Sequence, residues 1–426
     1  MLIQFRVKNY RSIHEEVVFN FLASTDKELA QSNLMPTGLK SLPFVIRTAV
    51  IYGANASGKS NVLQALAFMR NVVAESATSM KLGQPFNVQP FRLDAGASAE
   101  PTEFEITFLH GGLRHQYEFS LTAERVVHEA LLVYKTAKPQ VWFNRTFNES
   151  TSSYDFEFGS HLTGPRKIWQ ESTRSNALFL ATAAQLNSEL LGPIFSWIVE
   201  KILFFGAGMA PVPEHTTALL QSAASKEAVR SFMASADTGI SDIDVVSRKT
   251  LQRQFVFKPD GPATATSEER ELLMPQFVHA VGDMSVKFEW QDESDGTRRL
   301  YQLAAPVLDV LETGRVLVID ELDSNLHTLL VRRLVSMFQD PVLNSKGAQL
   351  IFSTHDTSLL DQSLFRRDQI WFTEKNQKQA TQLYPLTDFS PRKKEALERG
   401  YLVGRYGAVP FFSDFKSPPQ LPEANV

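Results

Sequence analysis

Gly53-Ala54-Asn55-Ala56-Ser57-Gly58-Lys59-Ser60 decides how the chain is read. The octet fits G-x-x-x-x-G-K-[ST]. It stands between a β-rich run, Thr48–Tyr52, and a helical run, Val62–Ala74, whose apolar residues are Val62, Leu63, Leu66, Met69, Val72 and Val73. A strand, a glycine-containing turn and then a helix is the context in which this octet is a phosphate-binding loop. Gly53 and Gly58 let the backbone N–H groups of the loop, Asn55 and Ser57 among them, converge on phosphate oxygens. Lys59 reaches the β- and γ-phosphates, and the Ser60 hydroxyl is placed to ligate Mg²⁺. The N-terminus of the following helix adds a favourable dipole.

Three more stretches extend the pattern towards the C-terminus. Val316-Leu317-Val318-Ile319-Asp320-Glu321 is a buried strand of the parallel type that delivers two carboxylates to the sheet edge where ligands bind in α/β folds. Asp320 suits Mg²⁺, directly or through water, and Glu321 suits polarising an attacking water. Such a pair is weak alone and strong beside a phosphate-binding loop. Gln349-Leu350-Ile351-Phe352-Ser353-Thr354-His355 is a second buried strand, ending in His355. A lone histidine is more often structural, but its place on the strand after the acid pair makes this one a candidate. Glu293-Ser294-Asp295-Gly296-Thr297-Arg298-Arg299 precedes a helix over Arg299–Glu312 and offers an anion-binding N-terminus; by itself it would be only a capped helix. For Arg298 and Arg299, packing or interface pairing is at least as good a reading as phosphate contact.

The rest of the chain frames these motifs. It has 426 residues, 43% hydrophobic and 21% charged, enough apolar side chain for a sizeable core. Its length suggests about three domain-sized units. Net charge is −4, so nucleic-acid binding would need a local basic patch, for which Arg366-Arg367 and Arg392-Lys393-Lys394 are the candidates; charge runs are usually solvated faces. There is no cysteine, which excludes disulfides, Cys-ligated metals and Cys nucleophiles. No apolar run approaches a membrane span and the N-terminus is no signal peptide, so a cytoplasmic location is expected. Strand patterns occupy 2–7 and 17–21, a polar loop Ser24–Ser41, and an antiparallel sheet roughly 85–158, with a hairpin turn at His110-Gly111-Gly112. Residues 163–236 read as helical, best at Glu189–Lys201 and Ser225–Ala234; 240–290 return to β, broken by a polar loop at Pro259–Glu269. Leu329–Phe338 reads as a helix.

The order of these motifs resembles an ATP-binding-cassette ATPase head of the SMC/RecF/OLD type. Ser294-Asp295-Gly296-Thr297 resembles that family's signature, and Leu322-Asp323-Ser324-Asn325-Leu326-His327 its D-loop. His355 resembles the switch histidine, and Asn9-Tyr10-Arg11-Ser12 the opening whose arginine approaches the nucleotide phosphates, with Tyr10 in place of Phe. The resemblance implies ATP and Mg²⁺ as cofactors and a homodimer in which Ser294, Gly296 and Thr297 cover ATP held by the other copy, with Asp323 crossing the interface. It also implies a glutamine that senses Mg²⁺ and the attacking water; Gln89 and Gln185 are candidates, and Gln185 is preferred. A narrower likeness runs to bacterial AAA-type ATPases related to RloA and to PARIS-type phage defence. It rests on Asn176–Leu180, Ala236–Ile240, Arg367–Phe372 and Gly404–Pro410.

The expected architecture is an α/β cassette head, with a mixed central sheet, an antiparallel β subdomain, an inserted compact helical lobe and no long coiled coil. Its parts are 1–160 (first half of the head), 161–250 (helical insertion), 251–415 (second half) and a frayed tail, 416–426. Few residues follow His355, too few for the nuclease domain of OLD-type proteins, so any nucleic-acid cutting would belong to another polypeptide. The resemblance therefore implies an ATP-driven switch or scaffold in antiviral defence, a dimer or higher oligomer controlling a separately encoded toxin or nuclease. The alternative is a RecF/SMC-like DNA-repair clamp, with nucleic acid as partner. A transporter motor fits poorly, given the divergent Ser-Asp-Gly-Thr and the Asn9–Ser12 opening.

Overall fold

The computed structural model describes residues 1–208, 211–236, 238–256, 264–392 and 395–410. Asp237, the loop residues 259–263, Lys393, Lys394 and the tail 416–426, all singled out above, lie outside the described residues.

The chain opens with β1 (Leu2–Lys8) and β2 (Val17–Asn20), then α1 (Ala30–Asn33), β3 (Leu34–Leu39) and β4 (Leu42–Ile46), and enters the core at β5 (Thr48–Gly53) and α2 (Lys59–Glu75). Five strands follow: β6 (Thr102–His110), β7 (Leu113–Leu121), β8 (Val126–Tyr134), β9 (Gln140–Asn148) and β10 (Ser153–Phe158). Next come α3 (Arg166–Ser172), α4 (Phe179–Gln185), α5 (Gly192–Lys201), β11 (Ile202–Phe205), α6 (Pro213–Leu219) and α7 (Ala223–Ala234). An antiparallel trio, β12 (Ile240–Val256), β13 (Thr264–Val281) and β14 (Met284–Glu289), leads to α8 (Asp295–Thr313), β15 (Val316–Ile319), α9 (Thr328–Gln339), β16 (Gln349–Ser353), β17 (Ile370–Lys375), β18 (Thr381–Pro385) and α10 (Leu397–Leu402).

The central sheet has the order β11-β15-β16-β5-β17-β18, parallel except for β18. Parallel strands need both faces covered, and alternate side chains here go to opposite faces. Ala49, Ile51, Val316, Val318 and Ile351 join one apolar cluster with α2, α4 and α5. Val50, Leu317, Ile319, Leu350 and Phe352 join another with α8 and α9. Residues 161–250 divide between these clusters: α4 and α5 pack on the α2 side, α7 packs on α8, and β11 returns the chain to the central sheet.

A second, seven-stranded antiparallel sheet, β10-β9-β8-β7-β6-β1-β2, packs into the first cluster. Its β6–β7 hairpin turns at Gly111 (φ 57°) and Gly112 (φ 74°), the paired left-handed conformations a two-residue turn requires. The α/β class with an antiparallel β subdomain is thus what the structure shows, and no long coiled coil occurs among the described residues.

Four local expectations need correction. The polar stretch Ser24–Ser41 is not all loop: it holds α1 and β3, the latter anchored because Met35 packs with Ile3 and Val45. The polar segment from Thr264 onward is strand, held by pairing of β13 with β12 through Thr264↔Val256. Residues 202–205, within the stretch 163–236 read as helical, extend as β11, because pairing with β15 wins over local preference. The helix expected from Arg299 begins at Asp295, since the Ser294 hydroxyl caps it by accepting the Thr297 N–H at 3.1 Å.

Candidate active site

The phosphate-binding loop is shaped by its neighbours as much as by its own residues. Ala56 (φ 62°) and Gly58 (φ 112°) take left-handed conformations. A Cβ at Gly58 would run into the Thr381 side chain, so this glycine lets β18 close on the loop. Thr381 donates its hydroxyl to the Ser57 carbonyl at 2.9 Å and meets the Ser12 hydroxyl at 2.8 Å, and Asn61 donates to Ser12 at 2.6 Å. The buried Ser57 hydroxyl is committed to Thr373 at 2.6 Å, so a role for Ser57 towards phosphate rests on its backbone. Asn55 is exposed and Ser60, in the first turn of α2, is half-buried.

Lys59 is buried, its Nζ donating to the carbonyls of Gly53 (2.8 Å) and Ala54 (3.3 Å). Burial lowers its pKa; Asp320 first, then Glu321 and Asp323, push it back up. The field of the acid strand therefore reaches the lysine of the loop, as a shared site requires.

Sheet order brings those acids in. β16 lies between β5 and β15, with Ile351 opposite both Ala49 and Val318. At its C-terminal end the buried Ser353 hydroxyl donates to Asp320 Oδ1 at 2.5 Å and accepts the Glu321 N–H at 2.8 Å. From the other side, β11 accepts the Asp320 N–H through the Phe205 carbonyl at 2.9 Å. Asp320 Oδ2 is left buried and without a partner, a free lone-pair site for a cation or its water. Glu321 is half-buried at φ 57°, a conformation disfavoured for a residue with a Cβ, and Ser324 donates to its Oε2 at 3.3 Å. Asp323 Oδ2 accepts the His355 N–H at 3.2 Å and its Oδ1 is buried without a partner. The His355 ring is exposed.

These residues fit a nucleotide with Mg²⁺. The loop closes only around glycine, the ammonium faces the loop carbonyls, and an orphaned carboxylate oxygen stands at the end of the Asp-Glu strand. Lys59, Ser60, Asp320 and Glu321 thus share one sheet edge.

The remaining candidates occupy other places. Ser294 is exposed, its hydroxyl 2.9 Å from that of Thr297, and Gly296 touches the loop after Glu321: a Cβ there would stand 3.1 Å from the Asn325 carbonyl oxygen. No hydrogen bond joins this turn to the phosphate-binding loop of the same chain among the described residues. Arg11 sits at φ 51°; its N–H donates to the Gln89 carbonyl at 2.6 Å and its guanidinium to Gln64 on α2. Gln185, exposed, is the last residue of α4, and no described hydrogen bond ties it to Ser60 or Asp320. One basic candidate is corrected. Arg366 is buried, bound to Asp368 and to carbonyls of Asp26 and Glu28, and Arg367 pairs with Asp26 at 2.5 Å. Both serve internal structure because they tie the segment after β2 to the start of β17.

Ser353, Thr373 and Thr381 were missed by sequence reasoning. Ser353 alone had a signal, as the residue closing a buried strand beside the acid pair; the two threonines had none.

Comparison with curated proteins returned no match. Among solved structures, an SMC head bound to the C-terminal winged-helix domain of ScpA is 15% identical, with a TM-score of 0.42, covering 90% of this chain and 97% of that one. The SMC head domain from Thermotoga maritima is 14% identical, with a TM-score of 0.41, covering 90% and 98%. Residues 49–361, well over half of the chain and including both the loop and the Asp-Glu strand, match the family described as "AAA domain, putative AbiEii toxin, Type IV TA system", and the chain belongs to that family.

Proposed function

We propose that the protein binds ATP with Mg²⁺, hydrolyses it, and works as an ATP-bridged homodimer or higher oligomer. The observation that carries the reading is the convergence at the C-terminal ends of β5, β16 and β15, where one hydroxyl, Ser353, holds the Asp320 carboxylate and the Glu321 backbone beside the Lys59 loop. In this reading Lys59 and the loop N–H groups hold the phosphates, and Ser60 and Asp320 hold Mg²⁺, which neutralises phosphate charge when bound. Glu321 orients the attacking water and takes its proton; His355 and Arg11 meet phosphate from the side; Gln185 serves the metal and water.

Ser294, Gly296 and Thr297 make no described hydrogen bond to their own loop, which suits covering the ATP of a second copy, with Asp323 at the joint. Closing and opening of such a dimer gives a partner two shapes to distinguish, the differential binding any switch needs. The family's description names a toxin and a toxin–antitoxin system. The reading goes further, to a role in bacterial antiphage defence in which nucleotide state controls a separately encoded effector, a toxin or nuclease.

Lys59→Ala is expected to abolish ATP binding or turnover; undiminished hydrolysis would sink the loop assignment. Glu321→Gln is expected to retain ATP, stall hydrolysis and accumulate a dimer in size-exclusion chromatography with light scattering. Tagged Glu321→Gln protein, purified with ATP and Mg²⁺ from cells carrying the neighbouring genes, should bring down a stoichiometric second protein that survives nuclease. Nucleic acid without such a protein would instead favour the DNA-clamp alternative.

A further inference from the structure

Arg299, the fifth residue of α8, is only 7% exposed. Its Nε is buried without a partner, and among the described residues it forms no ion pair and no hydrogen bond. Burial alone lowers its pKa, with no neighbouring charge contributing. The Nε atoms of Arg47 and Arg145 are unpartnered too, but the terminal nitrogens of the other buried arginines described are answered. Arg145 meets Glu129 and the carbonyls of Ala177 and Arg174; Arg366 meets Asp368; Arg47 meets the Asn344 carbonyl. The adjacent Arg298 is paired with Asp295 at 2.6 Å.

A guanidinium does not discharge at ordinary pH, so one buried without a counter-charge destabilises the fold unless an anion comes to it. Arg299 also has an opening to receive one. It lines a cavity of about 370 Å³ with Trp290, Asp295, Arg298, Gln302, Ser324 and Asn325. Asp295 answers Arg298 and Ser324 donates to Glu321, so Arg299 is the unanswered charge of this wall; with the side-chain amides of Gln302 and Asn325 beside it, it offers donors that suit the oxygens of a phosphoryl group. The cavity opens where the Ser294–Gly296 turn meets the Asn325 loop.

We propose that Arg299 anchors a phosphoryl-binding subsite in this cavity. The phosphoryl group arrives either on ATP held by a second copy, which rests on the ATP-bridged reading above, or on a free nucleotide or pyrophosphate, which does not.

Two arms separate the sources, each with Arg299→Gln and the charge-keeping Arg299→Lys in the full chain. In a Lys59→Ala background, which disables the phosphate-binding loop, pyrophosphate should raise the thermal midpoint, and Arg299→Gln should remove that rise. In a Glu321→Gln background with ATP and Mg²⁺, Arg299→Gln should raise the protein concentration for half-dimerisation by roughly tenfold, the loss of one charge-assisted contact, and Arg299→Lys by less. ATP binding at monomeric concentrations should stay within about twofold, because that contact belongs to the loop.

A loss in the first arm assigns a free ligand; a loss in the second, ATP on the other copy. Ligand-free Arg299→Gln protein should melt no lower than its parent, because an unanswered buried charge has been removed. A lower melting point with both arms unchanged would make Arg299 a packing residue and overturn the proposal. So would a dimer that forms without ATP and is weakened by Arg299→Gln, which would identify a protein carboxylate as the anion. If Glu321→Gln fails to dimerise with Arg299 intact, the ATP-bridged reading fails, and the pyrophosphate arm alone decides the subsite.

Discussion

Ser353→Ala tests the site through a residue that touches neither phosphate nor water. Ser353 is 0% exposed, and its hydroxyl holds both acids, donating to Asp320 Oδ1 at 2.5 Å and accepting from the Glu321 backbone at 2.8 Å. Hydrogen bonds to a charged group contribute about 1.5–3 kcal/mol and neutral ones about 0.5–1.5 kcal/mol. Because Asp320 Oδ2 already lacks a partner, alanine would leave both oxygens buried and unsatisfied. The folded state should therefore lose about 2–3 kcal/mol in urea unfolding. The kinetic effect has a second source. Glu321 is held at φ 57°, a conformation that costs a non-glycine residue roughly 1–2 kcal/mol, and the Ser353 hydroxyl is one of its restraints. Released, the carboxylate leaves its position before the attacking water. A loss of about 2–3 kcal/mol of transition-state stabilisation corresponds to a fall of ~30-fold to ~150-fold in kcat. Steady-state ATP hydrolysis should be followed across Mg²⁺ concentrations, with ATP binding measured separately. The expected pattern is a lower kcat, a higher Mg²⁺ requirement and little change in ATP affinity, with partial rescue by Ser353→Thr. Wild-type kcat and Mg²⁺ dependence in Ser353→Ala would refute the reasoning.

Two further expectations concern the antiparallel sheet. Glu129 is fully buried and accepts from Tyr117 (2.9 Å), the N–H groups of Phe179 (2.6 Å) and Leu180 (2.9 Å) at the start of α4, and Arg145 (3.5 Å). Burial pushes its pKa up against Arg145 and those donors, and four donors around it are the surroundings of a carboxylate. Glu129→Gln leaves Arg145 without its counter-charge and should cost about 3–5 kcal/mol in urea unfolding, a figure that a loss under about 1 kcal/mol would contradict. His115 lies buried against Phe108 and Trp142, and burial, with the charge of His110, lowers its pKa from 6.5 to about 4. The unfolded chain takes up that proton first, so stability should fall as pH drops from 6.5 towards 4, by about 3 kcal/mol in total. His115→Phe should flatten the dependence over that window, and an unchanged slope in the variant would show that the titration lies elsewhere.

The legible parts of the sequence were those whose physics is local. β15 is found at Val316–Ile319 because four apolar residues ending in two acids specify a buried strand and its edge. The phosphate-binding loop announces itself because left-handed backbone needs glycine at Gly58. What was not legible depends on partners distant in the chain. Ile202–Phe205 is a strand only because β15 is beside it, and β3 is a strand because Met35 finds Ile3 and Val45. Arg366 and Arg367 read as a surface charge run because nothing nearby in sequence shows that Asp26 and the carbonyls of the segment after β2 will surround them. Thr381 supports the loop across more than three hundred residues of chain, through a contact with the Ser57 carbonyl that no spacing rule encodes.

The placing of β16 does more than bring the motifs together. Its last residue and the two that follow touch all three parts of the site in succession. The Ser353 hydroxyl binds Asp320 and the Glu321 backbone, the Thr354 N–H donates to the Ile51 carbonyl on the strand that feeds the loop, and the His355 N–H donates to Asp323. The Ser353 carbonyl also accepts the Leu322 N–H at 3.1 Å, pinning the start of the Asp323 loop. That loop ends at Asn325, whose carbonyl lies against Gly296 too closely for any side chain to be added without displacement. Contiguous contacts therefore run from the phosphate-binding loop to the turn that carries Ser294 and Arg299. Contiguity alone does not establish coupling, which requires an element with two arrangements that both sites bias. The Glu321–Asn325 segment is the part of this path best suited to that role. It carries two left-handed residues, Glu321 and Asn325, and a buried Asp323 oxygen with no partner, so its present conformation is held by neighbours rather than by its own preference. In the proposed mechanism, a nucleotide whose attacking water is held by Glu321 on one side, and a second anion at Arg299 on the other, would act on the same short segment.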